Sequence, residues 1–254
     1  MGLITIAAYQ FVQLKDLPVL RADLKEQCLE WDLKGTILLA PEGINCFISG
    51  EPEKIALFKN YLEHDLKFTA LNYKENACSK HPFTRMLVKL KKEIISMGLP
   101  DVDPNELTAT YLEPSDLKRW IDEGKDFVLL DTRNHYEVGV GTFKGAVDLD
   151  IECFRSFPEV SEALPEDYKE KPVVMFCTGG IRCEKASNLF MKRGYKEVYQ
   201  LKGGILNYFE KFQSEHYEGD CFVFDWRLAV DGNLKPVPTA PLVKSRHKIK
   251  NINS

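Results

Sequence analysis

No apolar run in this 254-residue chain reaches the ~18 residues that a membrane-spanning helix needs, so no membrane contact is expected. The opening stretch, MGLITIAAYQFVQL, lacks the basic region and small-residue cleavage site of a secretory leader. There is no CxxC pair, which removes the usual framework of a structural zinc site. The five histidines are scattered and form no His-x-Asp/Glu or His-Glu-x-x-His pattern, so no metal is expected. A flavin fingerprint and an iron triad are also absent, and no cofactor is evident. Repeats and low-complexity segments are missing. A strong net charge is missing too: the value is −4. Bulk charge therefore does not point to nucleic acid, although a local basic face would suffice for it. The seven cysteines, odd in number and irregular in spacing, are expected as thiols in a reduced, cytoplasmic protein. Oligomeric state is not legible.

What is present divides in two. Residues 1–97 read as a small α+β unit. LITIAAYQFV is strand-like, and LPVLRADLKEQCLEWD repeats apolar residues at Leu17, Leu20, Leu24, Cys28 and Trp31 with a helical period. GTILLA and INCFIS are strands joined by a Pro-Glu-Gly turn. PEKIALFKNYLEHD is a second helix, and KFTALNYKEN and RMLVKLKKEIIS are further strands. The order β-α-β-β-α-β with one strand appended predicts a ferredoxin-like (acylphosphatase-like) fold. A linker is expected near residues 98–107, which are rich in Pro and Asp. Residues 108–216 alternate strands (DFVLLDTR, KPVVMFC, KEVYQLKGG) with helices (SDLKRWIDEG, IRCEKASNLFMKRGY, GILNYFEKFQSE). That alternation predicts an α/β domain with a central parallel sheet, whose ligands bind at the carboxyl ends of the strands. Asp131 and Cys177 stand at such ends. Residues 217–254 are read as a C-terminal extension, with a short strand in CFVFDWRL and a basic tail, KSRHKIK.

The stretch VVMFCTGGIRCEKASNLF is a strand, a glycine-bearing loop and a helix start. The N–H groups of such a loop and of the helix N-terminus converge on whatever sits inside it. A cysteine there, Cys177, becomes a thiolate with a pKa well below its free value of ~8.5. Thr178, Gly179, Gly180, Ile181 and Arg182 form the loop. Its glycines permit the tight turn, and Arg182 adds positive charge, aimed at an anion or bracing the loop. Cys183 at the helix start has two readings: a thiol that resolves an oxidised or persulfidated Cys177, or a small residue packing helix to sheet.

These residues carry a resemblance. The loop resembles the active-site loop of the rhodanese superfamily. LLDTRNHYEVGVGTFKGAV and YQLKGGILNY resemble that superfamily's Asp-x-Arg segment and its closing strand–Gly-Gly–helix. Rhodaneses carry a persulfide on the cysteine, whereas phosphatases of the superfamily place arginine six positions after it. Here Arg182 is five positions after Cys177, a loop sized for sulfur. A closer resemblance spans nearly the whole chain: KGTILLAPEGIN, PFTRMLVKLKKEII, LLDTRNHYEVGVGTFKGA, FRSFPE and FCTGGIRCEKAS, with FVFD near residue 222, are very similar to the rhodanese-domain tRNA uridine hydroxylases. This implies an N-terminal ferredoxin-like domain followed by a rhodanese domain. It also implies a tRNA-modifying oxidoreductase that converts wobble uridine 34 to 5-hydroxyuridine, with tRNA as partner, molecular oxygen as co-substrate and Cys177 as the catalytic residue. The chain departs from the pattern in having GINCF where many members have GINGT. The cysteine-rich C-terminal extension of many members is not expected.

Asp131, Arg133 and Arg155 are candidates for substrate positioning. A structural Asp–Arg pair is the alternative for the first two, and Glu137 and Lys144 stand with them. Arg85, Lys89, Lys91 and Lys92 form a basic cluster in RMLVKLKKE that is a candidate tRNA contact; a charged edge that discourages aggregation is the alternative. APEGIN, Ala40 to Asn45, reads as a turn. Three functions compete: a hydroxylase in which a Cys177 thiolate adds to C6 of uracil or an oxidised cysteine delivers oxygen; a sulfurtransferase carrying a Cys177 persulfide; and a binding module on a vestigial rhodanese fold.

Overall fold

The computed structural model describes residues 2–66, 68–225 and 227–237. The chain divides into two compact units, residues 1–96 and 97–254. The first contains β1 (Leu3–Phe11), α1 (Leu17–Glu30), β2 (Lys34–Ala40), β3 (Gly43–Gly50), α2 (Pro52–Asn60), β4 (Lys74–Cys78) and β5 (Met86–Leu90). Its sheet runs in the order β4-β1-β3-β2-β5, antiparallel except where β5 joins β2 in parallel. Alternation dictates the packing. Ile6, Ala8, Ile37, Leu39, Ile44, Cys46 and Ile48 share a buried cluster with Leu24 and Cys28 of α1 and with Ile55 and Phe58 of α2. Proline in the first turn of both helices replaces an N–H that would have no partner there.

Two strands are shorter than their sequence predicts. KFTALNYKEN becomes a strand only at Lys74, and the backbone N–H of Ala70 is held by the Gln10 side chain at 3.2 Å. RMLVKLKKEIIS is a strand only over Met86–Leu90. The segment beyond it is fastened by the β2–β3 turn: Glu42 accepts from the Ile94 N–H at 2.7 Å, and the Asn45 amide donates to the Ile94 carbonyl at 3.3 Å. Side-chain partners replace the ladder at both places.

The second unit contains β6 (Thr110–Leu112), α3 (Pro114–Asp122), β7 (Val128–Asp131), α4 (His135–Val138), β8 (Gly141–Phe143), β9 (Val147–Asp148), α5 (Phe157–Val160), β10 (Pro172–Phe176), α6 (Ile181–Lys192), β11 (Glu197–Leu201), α7 (Gly204–Phe212), β12 (Tyr217–Gly219), β13 (Cys221–Phe222) and β14 (Ala229–Val230). Its central sheet, β6-β11-β10-β7-β9, is parallel throughout. Val174 and Phe176 of β10 join Leu117 of α3 and Ile205, Tyr208 and Phe209 of α7 in one core. The intervening residues, Val173 and Met175, are also fully buried, and α6 packs on β10 and β11. Burial on both faces is what a continuous apolar strand such as VVMF requires.

Residues 98–107, expected as a linker, pack on this second unit. The Asn188 amide of α6 donates to the carbonyls of Asp103 (3.0 Å) and Leu107 (2.6 Å), and Val102 is buried. Residues 217–230, expected in an extension, pair β12 with β8 and β13 with β14 within the unit. The basic tail at 244–250 lies outside the described residues. Among the described residues, no helix is long and apolar enough to cross a membrane.

Candidate active site

Strand β10 ends at Phe176, and the chain turns at once into the Cys177–Gly180 loop and α6. Cys177 is buried, and the Gly180 N–H donates to its sulfur at 3.0 Å. That direction is available because Gly180, the N-cap of α6, has φ 103°, which a side chain would strain. The loop's carbonyls face the other way and are capped by the next helix: the Ile205 N–H donates to the Cys177 carbonyl at 3.0 Å and the Leu206 N–H to the Thr178 carbonyl at 3.2 Å. The Gly-Gly of LKGGI makes this approach feasible. At Gly204, φ is +66° and a Cβ would lie 2.4 Å from the Cys177 oxygen. One glycine pair shapes the cysteine loop, and the second lets α7 hold it.

Arg182, in the first turn of α6, points its guanidinium at Glu137. Nη1 donates to Oε2 at 2.6 Å and Nη2 to Oε1 at 2.8 Å, with both side chains buried. Glu137 also accepts from the backbone N–H of Asn134 (3.2 Å), and the Thr178 hydroxyl oxygen lies 3.5 Å from it. Of the two readings of Arg182, the structure shows the brace: its fork belongs to Glu137, while its charge stays beside Cys177.

Charge and hydrogen bonding outweigh burial at the sulfur. Burial pushes the Cys177 thiol up, but hydrogen bonding from Cys183, the charge of Arg182 and the N–H groups of Arg182 and Gly180 bring it down to about 6. Cys183 moves the other way: burial and its bond to Cys177 raise it well above the ordinary value. The two sulfurs are therefore driven apart, Cys177 toward the thiolate and Cys183 toward the thiol. Cys183 also lies 3.7 Å from the Thr132 hydroxyl. None of the seven cysteines is in a disulfide. Cys28, Cys46 and Cys221 are each pushed up to about 12, chiefly by burial, so low acidity is not general in this protein.

Asp131 and Arg133 are brought together but away from solvent. Arg133 donates to Asp131 through Nε at 2.9 Å and Nη2 at 2.6 Å, and to the Gly141 carbonyl at 2.7 Å; both side chains are fully buried. The Thr142 hydroxyl takes a further lone pair of Asp131 at 2.8 Å. The arrangement is the structural pair of the two alternatives, anchoring β8 beside the end of β7. Arg155 stands exposed on a single 3-10 turn, Phe154–Ser156, and Lys144 is exposed after β8.

In the first unit, Lys89 is half-buried on edge strand β5, on the face opposite Met86 and Val88, and Lys91 and Lys92 are exposed just past it. Arg85 is exposed immediately before β5.

Two features escaped the sequence reading. Glu137 as the partner of Arg182 was one; Asn134-x-x-Glu137 is a helix-start spacing that could have located α4 and its carboxylate. The other is an aromatic rim at the loop. Tyr136 packs edge-on against Phe222 (ring centroids 5.4 Å apart), and Phe222 against Phe224 (5.1 Å). Among the described residues, no three His, Cys, Asp or Glu side chains are grouped to hold a metal ion.

Two family models match the chain, one within each unit. Residues 3–94 match the UPF0176 acylphosphatase like domain, and residues 113–211 match the rhodanese-like domain. The chain is 49% identical over 241 residues to a Cupriavidus pinatubonensis protein named tRNA uridine(34) hydroxylase, covering 93% of this chain and 86% of that one. It is 48% identical over 242 residues to a protein of the same name from Thiobacillus denitrificans, covering 93% and 98%. Among solved structures, the rhodanese-like domain of an Anabaena sp. protein is 21% identical and covers 51% of this chain and 86% of that one, at a TM-score of 0.37.

Proposed function

The chain belongs to the tRNA uridine(34) hydroxylase family, and from that membership we propose that it hydroxylates C5 of the wobble uridine of tRNA, with Cys177 as the reacting thiolate and molecular oxygen as co-substrate. The observation that carries the chemistry is the Gly180 N–H on the Cys177 sulfur at 3.0 Å, with the Arg182 charge behind it. These keep the sulfur anionic at neutral pH, where a thiol would be a poor nucleophile.

A thiolate that adds to C6 of uracil raises electron density at C5, where the oxygen enters; its later departure restores the ring. The alternative, oxygen delivered from an oxidised sulfur, uses the same atom. In either case, dioxygen that replaces C5–H by C5–OH needs two further electrons to leave as water. Two thiols that end as a disulfide supply them, so uridine, dioxygen and two thiols give 5-hydroxyuridine, water and one disulfide. Cys183, hydrogen-bonded to Cys177, is the second thiol in this reading, and an external thiol returns the pair to its reduced state.

The test is the wobble nucleoside of bulk tRNA from cells grown under labelled dioxygen. Label at C5 that depends on Cys177 supports the hydroxylase. A 2-thio product in its place would point to sulfur transfer, the chemistry that a sulfur-sized rhodanese loop also permits.

A further inference from the structure

The stretch Phe222-Val223-Phe224 has no part in the chemistry above, yet it borders the cysteine loop. The Phe222 carbonyl accepts the hydroxyl of Thr178, the residue after Cys177, at 3.3 Å. Val223 is buried, whereas Phe224 is 46% exposed. Phe224 lies with its ring 5.7 Å from the guanidinium carbon of Arg182 and edge-on to Phe222, which is edge-on to Tyr136. Three aromatic side chains therefore stand in a row at the loop, and the outermost is in water.

Phe224 does not reach solvent through slack. The turn that carries it is closed by the Val223 N–H on the Leu228 carbonyl (2.9 Å) and by the Leu228 N–H on the Asp225 carbonyl (3.1 Å). Behind it, Arg227 forks onto Asp225 through Nε at 2.9 Å and Nη2 at 2.6 Å, and the Arg227 backbone N–H reaches the same carboxylate at 3.0 Å. This is the Asp-x-Arg device of Asp131 and Arg133, whose backbone N–H bond is also 3.0 Å, used a second time. A large apolar ring held out of the core beside the Arg182 guanidinium, on the stretch whose Phe222 carbonyl is bonded to the cysteine loop, is suited to a planar ligand.

We propose that Phe224, backed by Phe222 and Tyr136, is the stacking platform for the unpaired pyrimidine that Cys177 attacks. An enzyme that acts on a base needs it unstacked from its neighbours, and unstacked bases are received on aromatic faces. The phenyl ring offers no hydrogen bond, so Phe224 positions the base and does not read its identity. The Arg182 guanidinium on the ring adds cation–π support from behind. Phe224 is a positioning residue for the reaction proposed above, and the inference rests on that reading for the identity of the base.

The experiment uses the full chain with Phe224→Ala and Phe224→Trp, each also in a Cys177→Ser background for binding. The probes are an anticodon stem-loop RNA with uridine at position 34 and the same RNA with an abasic site there. Phe224→Ala is expected to raise the KM for tRNA and the Kd for the uridine stem-loop about tenfold. Phe224→Trp is expected to restore both. The wild-type preference for the uridine loop over the abasic loop should vanish in Phe224→Ala, and the pH midpoint of Cys177 alkylation should stay in place. An unchanged preference in Phe224→Ala overturns the platform. So does a shifted alkylation midpoint with KM unaltered, which would make Phe224 a packing partner of Arg182. The binding arm reads stacking without turnover, so a wild-type protein that binds with this preference but does not hydroxylate would count against the oxygen chemistry alone.

Discussion

Arg182 and Glu137 face each other as a two-bond fork, 2.6 and 2.8 Å long, with neither side chain open to water. The pair joins the first turn of α6 to the short helix α4, so the loop between β10 and α6 is held from both sides. It also decides what Arg182 can do. A guanidinium whose two terminal nitrogens are committed to a carboxylate supplies field to Cys177 more than hydrogen bonds to a ligand.

Breaking that fork is expected to be costly, because one charge would be left buried without its partner. Glu137→Ala should lose ~3–5 kcal/mol in urea unfolding. Pairing Glu137→Leu with Arg182→Met should recover most of that loss while destroying activity. A single-variant loss below ~1 kcal/mol would mean that water reaches the pair and that the fork does not organise the loop.

The ionisation of Cys177 predicts a pH profile. Alkylation by iodoacetamide should reach half its plateau rate near pH 6, the depressed value, and not near the ordinary 9.0. Below pH 6 folded and unfolded chains both hold the proton. Between 6 and 9 only the unfolded chain does, so stability should rise with pH through that window and level off above it. Cys177→Ser should flatten this rise. Cys183→Ala should move the alkylation midpoint upward, since the Cys183 hydrogen bond favours the thiolate.

The parts of this arrangement that the sequence made legible are those written in local chemistry. Alternating and helical periods located the two sheets and the long helices, and the glycine loop after VVMFC marked Cys177. Glu137 was harder to read because its meaning depends on Arg182, 45 positions away. The short strands β8, β12 and β13 have no periodicity to detect; they exist because Gly141 pairs with the distant Gly219 and Cys221 with Val230. The 98–107 segment looked like a linker because Pro and Asp favour irregular backbone, yet its carbonyls are what Asn188 binds. Composition marks irregularity and says nothing of packing.

Gly204 offers a sharp steric test. A methyl group there would meet the Cys177 and Thr178 oxygens at 2.4 and 2.6 Å, on a backbone with φ +66°. Gly204→Ala should push α7 off the loop, break the two N–H bonds to those carbonyls and lower kcat by at least about 100-fold, a displacement of roughly 1 Å being enough. A variant with near-normal activity would show that the loop holds its shape without α7.

The lysines of the first unit are proposed contacts for tRNA phosphate. If each lysine meets one phosphate, Lys89→Glu with Lys91→Glu is expected to weaken tRNA binding and to reduce the slope of log K against log salt by about 2. The ladder bond from the Lys91 N–H to the Leu39 carbonyl uses backbone alone, so thermal unfolding should change little. Unaltered affinity and slope would leave these lysines as a charged sheet edge.

The last expectation separates a working Cys183 from a packing one. Each oxygen inserted needs two electrons, and in the proposed scheme Cys183, hydrogen-bonded to Cys177, supplies them together with Cys177. Without added reductant, the wild-type protein should make at most one 5-hydroxyuridine per chain and finish with Cys177 and Cys183 joined as a disulfide, visible as a mass lower by about two hydrogens. An external thiol should restore turnover. Cys183→Ser keeps a hydrogen-bond donor beside the thiolate and the shape of the helix start, so its alkylation midpoint should remain near 6. Its multiple-turnover rate should nevertheless fall by at least about tenfold, because the second electron source is gone. Full turnover in Cys183→Ser, with label from dioxygen still at C5, would assign Cys183 to packing and require the electrons to come directly from the external thiol. Cys177→Ser should abolish the label in either case, since no second thiolate stands in the loop.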